Sequence, residues 1–216
     1  MRTRLKTVPY FSQWESREIT NDVLARGPAV ALAQDPKWAC SGANTVEEYV
    51  LWAGNLCGMA CLKMILAART GRAIPMLELS RRCAQYGGYT VSPAGQIKGL
   101  VYAPFVTFIR NEYSLDAEVV TGITADGIAR VLQEAEFFIA SVHHSIRWPD
   151  REPPTKGGHL VLVFEAAEDV VFHNPSGHNV SAQEYASVPA PIFNKFFAGR
   201  GVAIKAKSEP PKGSVL

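Results

Sequence analysis

The chain has 216 residues, of which 47% are hydrophobic and 19% charged, and its formal net charge is +2. That length suits one large domain or two small lobes sharing a cleft, and the near-balanced charge leaves no electrostatic footprint for nucleic acid. No stretch approaches the roughly 20 apolar residues of a membrane helix, so no membrane association is expected. Met1 to Tyr10 carry basic residues with no apolar run after them, so no signal peptide is read there and a cytoplasmic protein is the expectation. In that compartment Cys40, Cys57, Cys61 and Cys83 are expected as free thiols, not as a disulfide framework.

In chain order, Val8 to Trp14 read as a short extended piece, with Pro9 favouring an edge. Residues 15 to 50 read as an insertion near the mouth of a site. Within it a short helix runs from Ser16 to Ala25, stopped by Gly27-Pro28. Another starts at Ala29, loop covers Cys40 to Asn44, and a helix or extended approach spans Val46 to Trp52. Asn55 to Gly71 predict a helix with Asn55 as its cap, Cys57 at its start and Gly71 at its end. Cys61, Met64, Ile65 and Ala68 recur at helical spacing and predict a buried face. Pro75 starts a second helix that stops at Gly87-Gly88. Gln96 to Tyr113 has helical spacing interrupted or kinked at Pro104.

The second half changes character. Ala117 to Val120 form a strand, and Thr124 caps a helix through Leu132. Phe137 to His144 is an apolar run of strand type, and residues 145 to 158 are loop. His159 to Glu165 and Asp169 to Asn174 predict an antiparallel hairpin. Short helices start near Ser181 and Pro189, and Gly201 to Ala206 make a last strand. The expected fold class is α+β. A single catalytic domain over 1–207 has a helical lobe at about 15–115. Its sheet lobe, at about 116–207, takes in the segment 8–14, and residues 208–216 form a loose tail.

The chemistry lies in four places. Free cysteines usually pack as small hydrophobes, but Cys57 on a helix N-terminus feels the positive end of the dipole, which favours thiolate. His159 follows Gly157-Gly158 at the mouth of a strand. Asn174 ends the paired strand, so the hairpin can bring the two together, and its side-chain oxygen can fix the imidazole tautomer. Each also has a plain structural reading: a polar residue opening a strand, and an Asn-Pro turn. His143 and His144, adjacent on a strand, should point to opposite faces. His159, His173 and His178 have no strong zinc spacing, so neither a metal nor another cofactor is expected.

Val8-Pro9-Tyr10-Phe11-Ser12-Gln13, Asn55-Leu56-Cys57-Gly58-Met59-Ala60-Cys61, Gly157-Gly158-His159-Leu160-Val161-Leu162-Val163 and Phe172-His173-Asn174-Pro175-Ser176-Gly177 stand in this order. The set resembles the C39-like cysteine peptidases, a family with a papain-like fold. The resemblance implies Cys57 as nucleophile, His159 as base, Asn174 as orienting residue and Gln13 as an oxyanion-hole donor. It implies a peptide or amide-containing substrate attacked by thiolate, with a thioester intermediate. Two departures stand out: a long segment separates Gln13 from Cys57, and Asn174 occupies a position where many relatives carry aspartate. Besides a peptidase or amide hydrolase, the sequence leaves open an acyl or peptidyl transferase on the same scaffold, and a non-catalytic binding module.

Overall fold

The computed structural model describes residues 7–205. The tail expected from 208 lies outside the described residues. In chain order the elements are α1 (Thr20–Arg26), α2 (Pro28–Leu32), α3 (Val46–Ala53), α4 (Cys57–Thr70), α5 (Met76–Gln85), β1 (Thr90–Val91), β2 (Ile97–Lys98) and α6 (Tyr102–Tyr113). There follow β3 (Ala117–Thr121), α7 (Ala125–Glu134), β4 (Ala135–Val142), β5 (His159–Ala166), β6 (Asp169–His173), α8 (Val180–Gln183), β7 (Ala186–Pro189), α9 (Ala190–Phe196) and β8 (Phe197–Lys205). The expected α+β class is borne out.

Six strands form one antiparallel sheet in the order β3-β8-β4-β5-β6-β7. Alternation divides its side chains between two cores. Phe137, Ile139, Leu160, Leu162, Val202 and Ile204 join the core built on α4, α5 and α6. Phe138, Ala140, Val142, Val161, Val163 and Ala203 join a second core with α7 and α9. With both faces covered, β5 is apolar along most of its length instead of alternating, which is why it stands out in the sequence.

Helix α4 differs from its expected one-sided burial. Every residue from Gly58 to Leu66 is buried, Lys63 included. The sheet lies on one side, where Leu160 approaches Gly58, and the N-terminal segment lies on another, where the Lys63 ammonium sits 4.8 Å from the Phe11 ring centroid. Lys63 also meets Glu15 at 3.7 Å, with both side chains almost wholly buried.

Residues 15 to 50, with Trp14 and Ala53 at their flanks, form a third, smaller core: Trp14, Ile19, Val23, Ala31, Leu32, Tyr49 and Ala53. Its polar centre is Asp35. The carboxylate accepts from Ser16 Oγ and Tyr49 Oη, each at 2.6 Å, and from the backbone N–H groups of Ser16 and Lys37. The segment leaves at Trp14 and returns at Ala53, in the same cluster, so its length does not separate the residues that flank it.

Three local expectations change. Leu56, not Asn55, is the N-cap of α4, and no side chain caps the helix. Pro104 falls in the first turn of α6, where a missing N–H breaks no helical bond, so it does not interrupt the helix. Ile97 and Lys98 belong to a two-stranded hairpin with β1 instead of to that helix.

Candidate active site

Cys57 is the first residue of α4 and is partly buried. With no capping side chain, the first-turn N–H groups are free to face the sulphur. The backbone N–H groups of Leu160, Gly58 and Cys57 itself all favour the Cys57 thiolate, although burial outweighs them and pushes the thiol up. The Leu160 contact sets the thiol against the strand residue that follows His159.

His159 and Asn174 come together as the hairpin predicts. The register pairs Val163 with Phe172, so His159, Val161, Phe172 and Asn174 share one parity of the sheet. His159 Nε2 lies 2.9 Å from Asn174 Oδ1, and both residues are buried. The backbone N–H of Ser176 donates to the same Oδ1 at 3.1 Å. An amide oxygen, not its nitrogen, must therefore face His159, and Nε2 must carry the hydrogen. The neutral ring then holds its lone pair on Nδ1.

Gln13 is held by both lobes. Its backbone N–H donates to Pro175 O at 2.9 Å, and its side-chain Nε2 donates to Ala53 O at 3.2 Å. Ser12 Oγ also donates to Pro175 O, and Tyr10 Oη to Asn174 O, so the segment 8–14 is stitched to the turn after Asn174. Among the described residues Gln13 Oε1 is buried without a partner, whereas Nε2 has a second hydrogen to give.

Burial pushes His159 down to about 3, against the Asn174 bond, and Arg147, His144 and His143 add to the depression. Burial thus works against both charged forms, the Cys57 thiolate and the His159 imidazolium. The thiolate that the helix dipole favours is opposed by that desolvation.

His143 and His144 do not point to opposite faces. The strand ends at Val142, the chain enters a 3₁₀ turn (His144–Arg147), and the two rings stack with centroids 4.1 Å apart. Among the described residues no group of three or more His, Cys, Asp or Glu could hold a metal ion. Two residues that sequence reasoning passed over join the site: Ser176, through its contacts with Asn174 and His159, and Arg147, through Ser176. Ser176 follows Asn174-Pro175, and an Asn whose side chain accepts the N–H two residues on is ordinary turn chemistry; that was the available signal. Arg147 carried none, because it lies in a loop.

The described residues thus define an α+β protein with a cysteine on a helix tip and a histidine–asparagine pair on the facing sheet. Its overall shape is similar to two solved structures. One is the peptidase domain of Streptococcus ComA, a bi-functional ABC transporter involved in quorum sensing: 13% identity, 70% of this chain and 92% of that one covered, TM-score 0.47. The other is a Bacillus anthracis protein assigned as a C39-like peptidase: 12% identity, 95% and 98% covered, TM-score 0.49. No protein-family model and no curated protein matches the chain. No single helix among the described residues is long and apolar enough to cross a membrane. The pair α3 and α4 meets that measure only together, bent by 96°, and α4 is core.

Proposed function

We propose that the chain is a papain-like cysteine peptidase or amide hydrolase of the C39-like kind, working on a peptide or amide-containing substrate without metal or cofactor. One observation carries this: His159 Nε2 donates to an Asn174 oxygen fixed by Ser176, which leaves the Nδ1 lone pair for a thiol at the Leu160 N–H.

In this reading Cys57 attacks the carbonyl carbon while His159 Nδ1 takes the thiol proton, so thiolate forms during attack and not before it. The carbonyl oxygen becomes an oxyanion beside the Cys57 backbone N–H and the spare hydrogen of Gln13 Nε2. The C–N bond then breaks, and the imidazolium returns its proton to the leaving amine. Water adds to the thioester with His159 as base again, and the acid departs with the thiol restored. Asn174 keeps the ring in one tautomer throughout.

The test is acylation of Cys57 by an activated-ester probe, located by mass spectrometry. Wild type is expected to form the thioester, Cys57→Ala to form none, and His159→Ala to form it on the order of 10²- to 10⁴-fold more slowly. Equal rates in wild type and His159→Ala would remove the enzyme reading.

A further inference from the structure

Arg147 closes the 3₁₀ turn after β4 and is 6% exposed. Among the described residues no carboxylate pairs with it, and burial lowers its own pKa to about 10, so it remains a cation at neutral pH. A buried cation with no counter-charge is costly to a fold. Its position is nonetheless well fixed. Nε donates to His144 O at 2.9 Å, Nη2 donates to Ser176 Oγ at 2.9 Å, and the guanidinium lies 5.5 Å from the Trp148 ring centroid.

Ser176 Oγ lies 3.2 Å from His159 Nε2 and 3.5 Å from Asn174 Oδ1. Arginine can only donate, so Ser176 must accept from it and turn its own proton to the asparagine oxygen. One hydroxyl therefore separates a fixed positive charge from the imidazole. The other groups acting on His159 are His143 and His144 from the turn after β4, and neutral Asn174 and Ser176 from the turn after β6. None offers a carboxylate to an imidazolium.

Resting on the function proposed above, we propose that Arg147 is a positioning residue that acts on His159 across Ser176, its charge holding the imidazole in the neutral, base-competent form under acidic conditions. The asparagine at 174 fits this design. An aspartate there would face both the imidazole and Ser176 and would stabilise the imidazolium that Arg147 opposes.

The experiment follows His159 in the full chain by NMR titration of ¹⁵N-histidine, assigned with His159→Ala, alongside Cys57 alkylation by iodoacetamide at pH 5. In Arg147→Gln, which keeps an N–H donor for Ser176 but loses the charge, His159 is expected to titrate at least one unit higher. A one-unit rise from about 3 leaves the imidazole mostly neutral at pH 5, so alkylation there should change by less than about twofold and shows that the thiol itself is undisturbed. Arg147→Met should behave alike, and Arg147→Lys, which keeps the charge, should stay near wild type. If the folded Gln variant titrates as wild type does, or the Lys variant shifts as far as the Gln variant, the role assigned to Arg147 is wrong. Wild-type alkylation that ignores His159→Ala would instead overturn the catalytic reading, whatever the titration shows.

Discussion

Lys63 and Glu15 form a buried ion pair at 3.7 Å that ties the middle of α4 to the chain just beyond Gln13. The Lys63 ammonium sits over the Phe11 ring, in the same N-terminal segment whose Gln13 side chain donates to Ala53 O at the end of α3. Among the described residues one oxygen of Glu15 is buried without a partner, and burial pushes its carboxyl up despite the nearby lysine. The pair therefore holds two segments in place at an electrostatic cost.

Removing one partner should be worse than removing both. Lys63→Ala leaves Glu15 buried and unpaired and is expected to cost about 3–5 kcal/mol. Lys63→Met with Glu15→Gln, which removes both charges, should recover most of that. Urea unfolding of the single and double variants checks it; equal losses would show that the charges are not coupled.

Asn174→Ala leaves the His159 Nε2–H without its acceptor and frees the ring to rotate. Acylation of Cys57 should fall on the order of 10²- to 10⁴-fold, the whole contribution of an oriented base. The thiol itself stays accessible, so a small disulfide reagent should still titrate Cys57 under mild denaturant. A loss below tenfold would mean that Asn174 does not orient the base.

Gln13→Ala separates oxyanion stabilisation from nucleophilicity. Acyl transfer passes through an oxyanion, and losing one donor should slow it about 100- to 1,000-fold. Alkylation by iodoacetamide forms no oxyanion, so its rate at Cys57 should hardly change. Parallel loss of both rates would point to a structural role for Gln13.

Stability should fall on acidification, with His159 as a main contributor. Its folded value, depressed by burial to about 3, lies below the ordinary 6.5 of the unfolded chain. Between these values the unfolded state binds more protons, so unfolding free energy rises with pH across that window and is lost as pH falls through it. His143, His144, His173 and His178 are lowered as well and act in the same direction. His159→Gln should therefore flatten the dependence of the urea midpoint between pH 6.5 and 3 without abolishing it.

Tyr49→Phe tests the core of residues 15 to 50. Tyr49 Oη donates to Asp35 and accepts the Glu15 backbone N–H at 3.1 Å. Losing both bonds in a buried setting should cost about 1–3 kcal/mol. Burial raises Asp35, but the Ser16 and Tyr49 hydroxyls and two backbone N–H groups outweigh it, so its carboxyl is held below the ordinary value. The variant should move that carboxyl back up. The stability it contributes is present above the unfolded value and lost as pH falls through the folded one, so the deficit of Tyr49→Phe should shrink in acid.

Much of this was legible in the sequence because local physics determined it. The apolar run of β5, the hairpin that carries His159 and Asn174, the glycine end of α4 and the position of Cys57 at a helix start all follow from period, turn residues and caps. Asn174 could be matched with His159 because a hairpin's period of two constrains distant residues almost as firmly as near ones. Tertiary structure decided the rest. Whether Gln13 reaches the site depended on the 36 residues after Trp14 folding into a cluster that returns at Ala53, and spacing alone cannot show that. Burial pushes the Cys57 thiol up and the His159 imidazole down, and burial depends on everything packed around them. The helix dipole alone suggested a thiolate; burial works against it. Arg147 entered the site because the fold brings a loop cation within one hydroxyl of the base, a relation between positions 147 and 176 that no local pattern encodes.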